Sequence, residues 1–125
     1  MRELDKMREL DKGLDISLKG AAAEEAIGVF RRQVESWGLE MPPTEPLVLD
    51  FGLSRFEQTG LVECWIANQV EAGYCGKFLF VLDGQTCPMH HHREKHETFF
   101  IVKGRVSMVC DGVQREMGQG DVLPV

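Results

Sequence analysis

The segment GQTCPMHHHREKHETFFIVKG, residues 84–104, holds all four histidines of this chain. His90 and His92 are two residues apart, so on an extended strand their side chains leave from the same face. The polar residues 93–96 predict a reversal, after which Glu97 opens an apolar run. Two imidazole nitrogens and one carboxylate oxygen suit a borderline divalent cation. The sequence therefore predicts a metal site formed by His90, His92 and Glu97.

The spacing Gly84, five residues, His90, one residue, His92, four residues, Glu97, six residues, Gly104 resembles the first sequence motif of the cupin superfamily. The resemblance implies a double-stranded β-helix, a small jelly-roll-like β-barrel, with the metal bound inside it by His90, His92 and Glu97. A chance histidine cluster, or the remnant of an affinity tag, is the alternative. A tag would not bring Glu97 and both glycines in register.

Length and charge narrow the possible partners. A chain of 125 residues allows one domain with a modest core. The net charge of -6 argues against nucleic acid or an anionic membrane surface as the main partner. We find no apolar stretch long enough to span a bilayer and no signal peptide, so we expect a cytoplasmic protein. The four cysteines form no Cys-x-x-Cys pair, which indicates free, buried thiols.

The chain is predicted to consist of a charged amino-terminal segment and one folded domain. Residues 1–18 contain the tandem copy MRELDKMRELDK and are strongly charged, so we expect a frayed helix or disorder there. Residues 19–125 form the predicted cupin domain, which begins with a helix at about 20–38. Apolar residues at steps of three and four give that helix one buried stripe: Ala23, Ala26, Ile27, Phe30, Val34 and Trp37. Gly38 and the pair Pro42-Pro43 are placed to end it.

The rest of the chain is predicted to be all-β, with short strands separated by turn residues. Tight turns are expected at Asp83-Gly84 and Asp111-Gly112. The predicted strands are Leu47–Phe51, Gly60–Asn68, Gly76–Leu82, Glu97–Lys103, Arg105–Cys110 and Val113–Met117. Because Glu97–Lys103 is apolar on both faces, we expect its outer face to pack on the helix or on a second subunit.

A narrower resemblance concerns residues 21–104, which are similar to the D-lyxose isomerase family of cupins. The positions that carry it are Pro42-Pro43, Asp50-Phe51-Gly52, Lys77, and Gly84-Gln85 ahead of the histidines. It implies an isomerase that interconverts D-lyxose with D-xylulose, and D-mannose with D-fructose, through an enediolate. The assembly that we expect is a homodimer. Manganese is the implied ion, with iron, zinc, cobalt and nickel as alternatives. His91 departs from the family pattern, where an aromatic residue is frequent.

The predicted catalytic residues are Lys77 and Glu97. Lys77, one strand before the histidines, is a candidate for binding a sugar hydroxyl or supporting proton transfer. An ordinary solvent-exposed lysine is an equal alternative. His96 is either a second acid/base group or an exposed turn residue. The sequence does not identify the carboxylate that would act as the base.

The second cupin motif, whose histidine supplies a fourth metal ligand, is expected to lie partly beyond Val125. On that expectation the chain is a fragment with unpaired strand edges, which would favour association with another chain. Two further functions stay open at this point. One is an iron-dependent cupin dioxygenase with a similar ligand set, and the other is a non-catalytic metal- or sugar-binding cupin.

Overall fold

The computed structural model describes residues 16–88 and 97–125, and these form one helix and a set of short strands. The elements in chain order are α1 (Gly20–Ser36), β1 (Leu47–Leu49), β2 (Leu61–Gln69), β3 (Tyr74–Phe80), β4 (Thr98–Phe100), β5 (Arg105–Cys110), β6 (Val113–Gly118) and β7 (Val122–Pro124). The chain divides into two units, Met1–Met89 and His90–Val125, called here the first and the second unit. The predicted β-rich fold with one amino-terminal helix is confirmed.

The strands pair in three separate ladders. The first unit contains an antiparallel sheet in the order β1-β2-β3, and the second unit contains the antiparallel pairs β4-β7 and β5-β6. Within the described residues these ladders do not close into a barrel, because hydrogen-bonded pairing stops at the edges of each one. The expectation of a small β-barrel is corrected to this extent.

The apolar stripe of α1 packs on the three-stranded sheet, as its spacing predicts. Phe30 and Val34 are buried with Val48 of β1 and with Val62 and Cys64 of β2. The outer strand joins the same core, since its Phe80 ring meets the Phe30 ring edge-on at 5.4 Å and lies 6.2 Å from the Trp37 ring. The helix thus covers one face of the sheet and leaves the other face to a different set of side chains.

The carboxyl end of α1 is closed by Gly38, as predicted. Gly38 has φ of 72°, a conformation that glycine adopts without a Cβ clash. Its N–H donates to the Glu35 carbonyl (2.9 Å), and the Leu39 N–H donates to the Val34 carbonyl (3.0 Å). This pair of bonds is a Schellman motif, which satisfies carbonyls that the helix itself leaves unpaired.

Strand β1 ends two residues earlier than the sequence predicts. Its successor Asp50 is buried and accepts a hydrogen bond from the Gly52 N–H at 2.9 Å, while Phe51 adopts φ of 56°. An aspartate that bonds the backbone two residues on forms a turn in place of a strand. On its other side β1 is met by residues 16–18, through a hydrogen bond from the Leu18 N–H to the Val48 carbonyl (2.7 Å). The predicted domain boundary after residue 18 stays a prediction, and residues 1–15 lie outside the described part of the chain.

The register of β2 and β3 shifts once. Trp65 pairs with Lys77, and Ala67 pairs with Gly76, so Ile66 is an extra residue on β2. It is also 53% exposed. This irregularity has the character of a β-bulge, which bends a strand and interrupts its pairing. Strand β3 spans Tyr74–Phe80, so it begins and ends two residues before the predicted strand Gly76–Leu82.

The hairpin β5-β6 agrees with its prediction. Cys110 pairs with Val113 across a two-residue loop in which Asp111 and Gly112 have φ of 50° and 76°. Positive φ at both central residues is the geometry of a type I′ turn, whose twist matches that of the flanking strands.

Strand β4 is shorter than predicted, and one of its faces is open. The Val125 N–H donates to the Glu97 carbonyl (2.8 Å), and the Ile101 N–H donates to the Asp121 carbonyl (3.0 Å), so pairing with β7 continues just beyond Thr98–Phe100. Phe100 is 58% exposed and its cross-strand partner Val122 is 57% exposed. The prediction that the outer face packs on the helix or on a second subunit stays a prediction.

Two further expectations concern the cysteines and the membrane. No disulfide joins any of the four cysteines, as predicted, but the expectation that they are buried is correct for Cys64 and wrong for the exposed Cys87 and the partly exposed Cys75 and Cys110. Within residues 16–88 and 97–125, no helix has the length and apolar character required to cross a membrane. The cytoplasmic location stays a prediction.

Gly60 allows a close backbone approach, which makes it a stability test of this fold. A Cβ placed there would lie 2.6 Å from the Leu49 carbonyl oxygen and 2.6 Å from Phe56 Cδ1. We expect Gly60→Ala to lower the free energy of unfolding by about 1–3 kcal/mol, because overpacking forces backbone shifts. Urea unfolding measures this change.

Gly76→Ala is the matched control, because a Cβ at Gly76 meets nothing closer than an ordinary contact of 3.8 Å to Ile66. Equal unfolding midpoints for the two variants would contradict the close approach at Gly60.

Candidate functional site

The chain is fixed in place directly before the histidine segment. The Gly60 N–H donates to the Thr86 carbonyl (2.9 Å), and the Thr86 N–H donates to the Gln58 carbonyl (2.9 Å). The buried Gln85 side chain donates to the Phe56 carbonyl and accepts from the Leu82 N–H (2.9 Å). Residues 82–86 are therefore anchored to the loop before β2, so the start of the histidine segment has a defined position within the first unit.

The structure describes one of the three predicted metal ligands, Glu97. His90 and His92 lie outside the described residues, as do His91 and His96. Glu97 is described: it is half-buried and precedes β4, where the sequence analysis expects it. Among residues 16–88 and 97–125, no three His, Cys, Asp or Glu side chains come together as a metal site. The assignment of His90, His92 and Glu97 as metal ligands stays a prediction.

Lys77 is not an ordinary solvent-exposed lysine. It lies within β3, and its Nζ is 2.7 Å from Oε1 of Glu63 on the neighbouring strand. The Lys77 side chain is 18% exposed and that of Glu63 is 6% exposed. The ion pair is diagonal across the ladder, because the residue directly opposite Glu63 is Leu79. The Lys77 ammonium is thus held in one position by a buried carboxylate.

Glu63 is the site residue that the sequence analysis missed. The sequence contains one indication of its role: Glu63 is the single charged residue in the largely apolar predicted strand Gly60–Asn68, GLVECWIAN. A charged residue in a buried strand is costly unless it is paired, so its position alone indicated a partner on an adjacent strand. The identity of that partner depends on the register of β2 and β3, which the sequence does not reveal.

Trp65 completes this group of side chains. It lies opposite Lys77, whose Nζ is 4.9 Å from the centroid of the indole ring, within the range of a cation–π interaction. Its Nε1 is buried and has no hydrogen-bond partner among the described residues. A buried donor without an acceptor costs about 1–3 kcal/mol. Glu63, Trp65 and Lys77 are called the polar cluster below.

The polar cluster occupies the face of the sheet opposite α1. Side chains alternate along a strand. Val62 and Cys64 belong to the core under α1, so Glu63 and Trp65 point the other way. The group offers donors from an ammonium and an indole together with a carboxylate acceptor. Such a set can bind oxygen atoms of a ligand and can assist proton movement between them.

The Glu63–Lys77 pair gives a direct stability prediction. Lys77→Met leaves a buried carboxylate without its cation, so we expect a loss of about 3–5 kcal/mol in the free energy of unfolding. The double variant Glu63→Leu/Lys77→Met removes both charges and is expected to be at least as stable as the unsubstituted chain. Denaturant unfolding of both variants measures the coupling between the two residues.

Arg31→Met is the control, because it removes an ion pair with Glu45 whose side chains are 60% and 78% exposed. Exposed pairs contribute about 0–1 kcal/mol. If Lys77→Met were no more costly than Arg31→Met, the Glu63–Lys77 pair would not be a buried ion pair.

The comparisons with known proteins show similarity over parts of the chain. Residues 77–125, which include Lys77 and Glu97, match the sequence profile of the cupin domain family. A protein of Thermosediminibacter oceani named D-lyxose/D-mannose isomerase is 39% identical over 75 residues. That match covers 55% of this chain and 40% of the relative's length. No solved structure matches significantly. Residues 77–125 are therefore similar to the cupin domain family, and over part of its length the chain is similar to a D-lyxose/D-mannose isomerase.

Proposed function

We propose that this chain is a metal-dependent sugar isomerase acting on D-lyxose and D-mannose. The observation that carries the proposal is the similarity to a D-lyxose/D-mannose isomerase, in a chain whose cupin-matching segment includes Lys77 and Glu97. The products would be D-xylulose and D-fructose. Interconversion of an aldose and a ketose requires a proton to move between C1 and C2, and a means of stabilising the charge that develops.

The residues that would hold the metal are His90, His92 and Glu97. The donor set fits manganese, and also iron, zinc, cobalt or nickel, because imidazole and carboxylate suit all of these divalent ions. Glu97 fits this role in two respects: its main chain is fixed by the hydrogen bond from Val125, and its side chain is half-buried. When bound, such an ion supplies Lewis-acid stabilisation of negative charge on substrate oxygens.

The role proposed for Lys77 is to donate a hydrogen bond to a sugar oxygen and so support proton transfer. Its pairing with Glu63 favours this role, since a fixed ammonium loses less conformational freedom on binding than a mobile one. Glu63 itself is held between apolar neighbours, because Leu47 and Leu79 lie directly opposite it on the two adjacent strands. The ion pair with Lys77 therefore offsets the cost of burying the Glu63 carboxylate among apolar side chains.

The decisive experiment combines metal analysis with an activity assay. We expect the purified chain to bind manganese, and to form ketose from D-lyxose and D-mannose when manganese is added. Retained manganese without turnover of either sugar would indicate a non-catalytic metal- or sugar-binding cupin. Oxygen uptake with bound iron would indicate a dioxygenase.

A ligand substitution tests the metal assignment separately. His92→Ala removes one of the predicted donors, so we expect at least a tenfold loss of bound metal with the circular dichroism spectrum unchanged. His91→Ala is the matched control, because it alters a neighbouring histidine that is outside the predicted ligand set. Equal metal content in the two variants would overturn the assignment of His92.

A homodimer is the proposed assembly. What supports it is the apolar pair Phe100 and Val122, which lie opposite each other across β4 and β7 and are both more than half exposed. Light scattering after size-exclusion chromatography is expected to give twice the chain mass, and Phe100→Ser is expected to weaken the association. A monomeric mass for the unsubstituted chain at high concentration would refute this assembly.

A further inference from the structure

The ladder between β1 and β2 stops at a proline. Leu47 pairs with Glu63, so one further step of the same register would place Pro46 opposite Cys64. Proline has no backbone N–H and cannot donate a hydrogen bond to a neighbouring strand. From Cys64 onward, the edge of β2 that faces away from β3 therefore has no strand beside it among the described residues.

Residues 40–45, called here the strap, cover this edge of β2. Thr44 Oγ1 donates to the Trp65 carbonyl at 2.6 Å and lies 3.5 Å from the Cys64 sulfur. The carbonyl oxygens of Pro42 and Thr44 lie 3.9 Å and 4.0 Å from the same sulfur. A loop laid over a strand edge keeps the backbone groups of that edge from pairing with another chain.

Few interactions hold the strap in place. Residues 40–45 make no backbone–backbone hydrogen bond in the part of the chain that the structure describes. Besides partial packing of Met41 on the core, the strap is held by the Thr44 hydrogen bond and by an ion pair between Glu45 and Arg31 at 3.9 Å. Both side chains of that ion pair are more than half exposed, so it contributes little. The Thr44 hydroxyl is therefore the principal polar contact of the strap.

An open cavity lies next to the strap. Its volume is about 730 Å³, and it is lined by the strap, by the second half of α1 and by Cys64. Cys64 is nevertheless only 1% exposed, and strap oxygen atoms lie against its sulfur. An outward movement of the strap would therefore expose the thiol to the cavity. Segments with few backbone hydrogen bonds open at a lower free energy than the whole fold unfolds.

We infer that the strap opens locally, with the Thr44 hydroxyl as its latch, while the rest of the first unit stays folded. The closed form protects the Cys64 thiol and the β2 edge at Trp65, and the open form exposes both. Because Trp65 also pairs with Lys77, the closed strap is one of the contacts that hold β2 beside the polar cluster. The opening requires neither metal nor sugar, so this inference does not rest on the proposed function.

Thiol labelling measures the opening directly. Replacing Cys75, Cys87 and Cys110 by alanine leaves Cys64 as the single thiol. Its reaction with an aromatic disulfide requires an opening event, because the sulfur is buried. Local opening exposes little surface, so we expect the labelling rate to change little with urea below the unfolding transition. A labelling rate with the same urea dependence as global unfolding would overturn the local opening.

Removal of the latch is the second measurement. Thr44→Val keeps the shape of the side chain and loses the hydroxyl, so we expect labelling about tenfold faster, the effect of losing one good hydrogen bond. Thr44→Ser keeps the hydroxyl and is expected to label as the single-thiol chain does. Thr86→Val is the matched control, because it removes a threonine hydrogen bond to the Gln58 carbonyl (3.2 Å) in a different loop.

Each result decides one part of the inference. Equal labelling rates for folded Thr44→Val and Thr86→Val would show that Thr44 is not the latch. If Thr44→Val does not fold, the urea dependence of the single-thiol chain still decides whether the strap opens locally. Since the assay contains no metal and no sugar, neither result depends on whether the chain is an isomerase.

Discussion

Burial of β2 on both faces is the constraint on which the first unit depends. From Leu61 to Trp65 each residue is removed from solvent, although side chains alternate between two environments. One environment is the apolar core under α1, where Phe30 and Val34 meet Val62 and Cys64. The other contains Glu63, whose charge is tolerable there because Lys77 lies 2.7 Å away.

The same constraint explains why residues 82–86, just before the histidines, are hydrogen-bonded to the loop that precedes β2. Strand β2 can begin at Leu61 only if the chain passes close to Leu49 and Phe56, and Gly60 permits that approach because it has no side chain. The adjacent backbone pairs with Thr86, and the Gln85 amide bridges the same loop to the turn at Leu82. The strand that carries the buried ion pair and the segment that leads to the predicted ligands are therefore fixed by one set of contacts.

The proposed function is supported by two kinds of observation. The cupin match and the similarity to a D-lyxose/D-mannose isomerase point toward sugar chemistry. The buried ammonium, carboxylate and indole N–H of the polar cluster provide donors and an acceptor of the kind that sugar hydroxyls bind.

The sequence by itself determined the elements whose causes are local. The stripe of α1, the Gly38 termination and the Asp111-Gly112 hairpin follow from side-chain periodicity and from the backbone freedom of glycine, so they were predictable. The β2–β3 register, the extra residue Ile66 and the pairing of Glu63 with Lys77 were decided only by the tertiary structure. Partners that lie fourteen residues apart in the chain meet because two strands align, and that alignment depends on the packing of the whole sheet. The sequence therefore does not distinguish a solvent-exposed lysine from one that is paired with a buried carboxylate. Only the folded sheet shows that Lys77 is of the second kind.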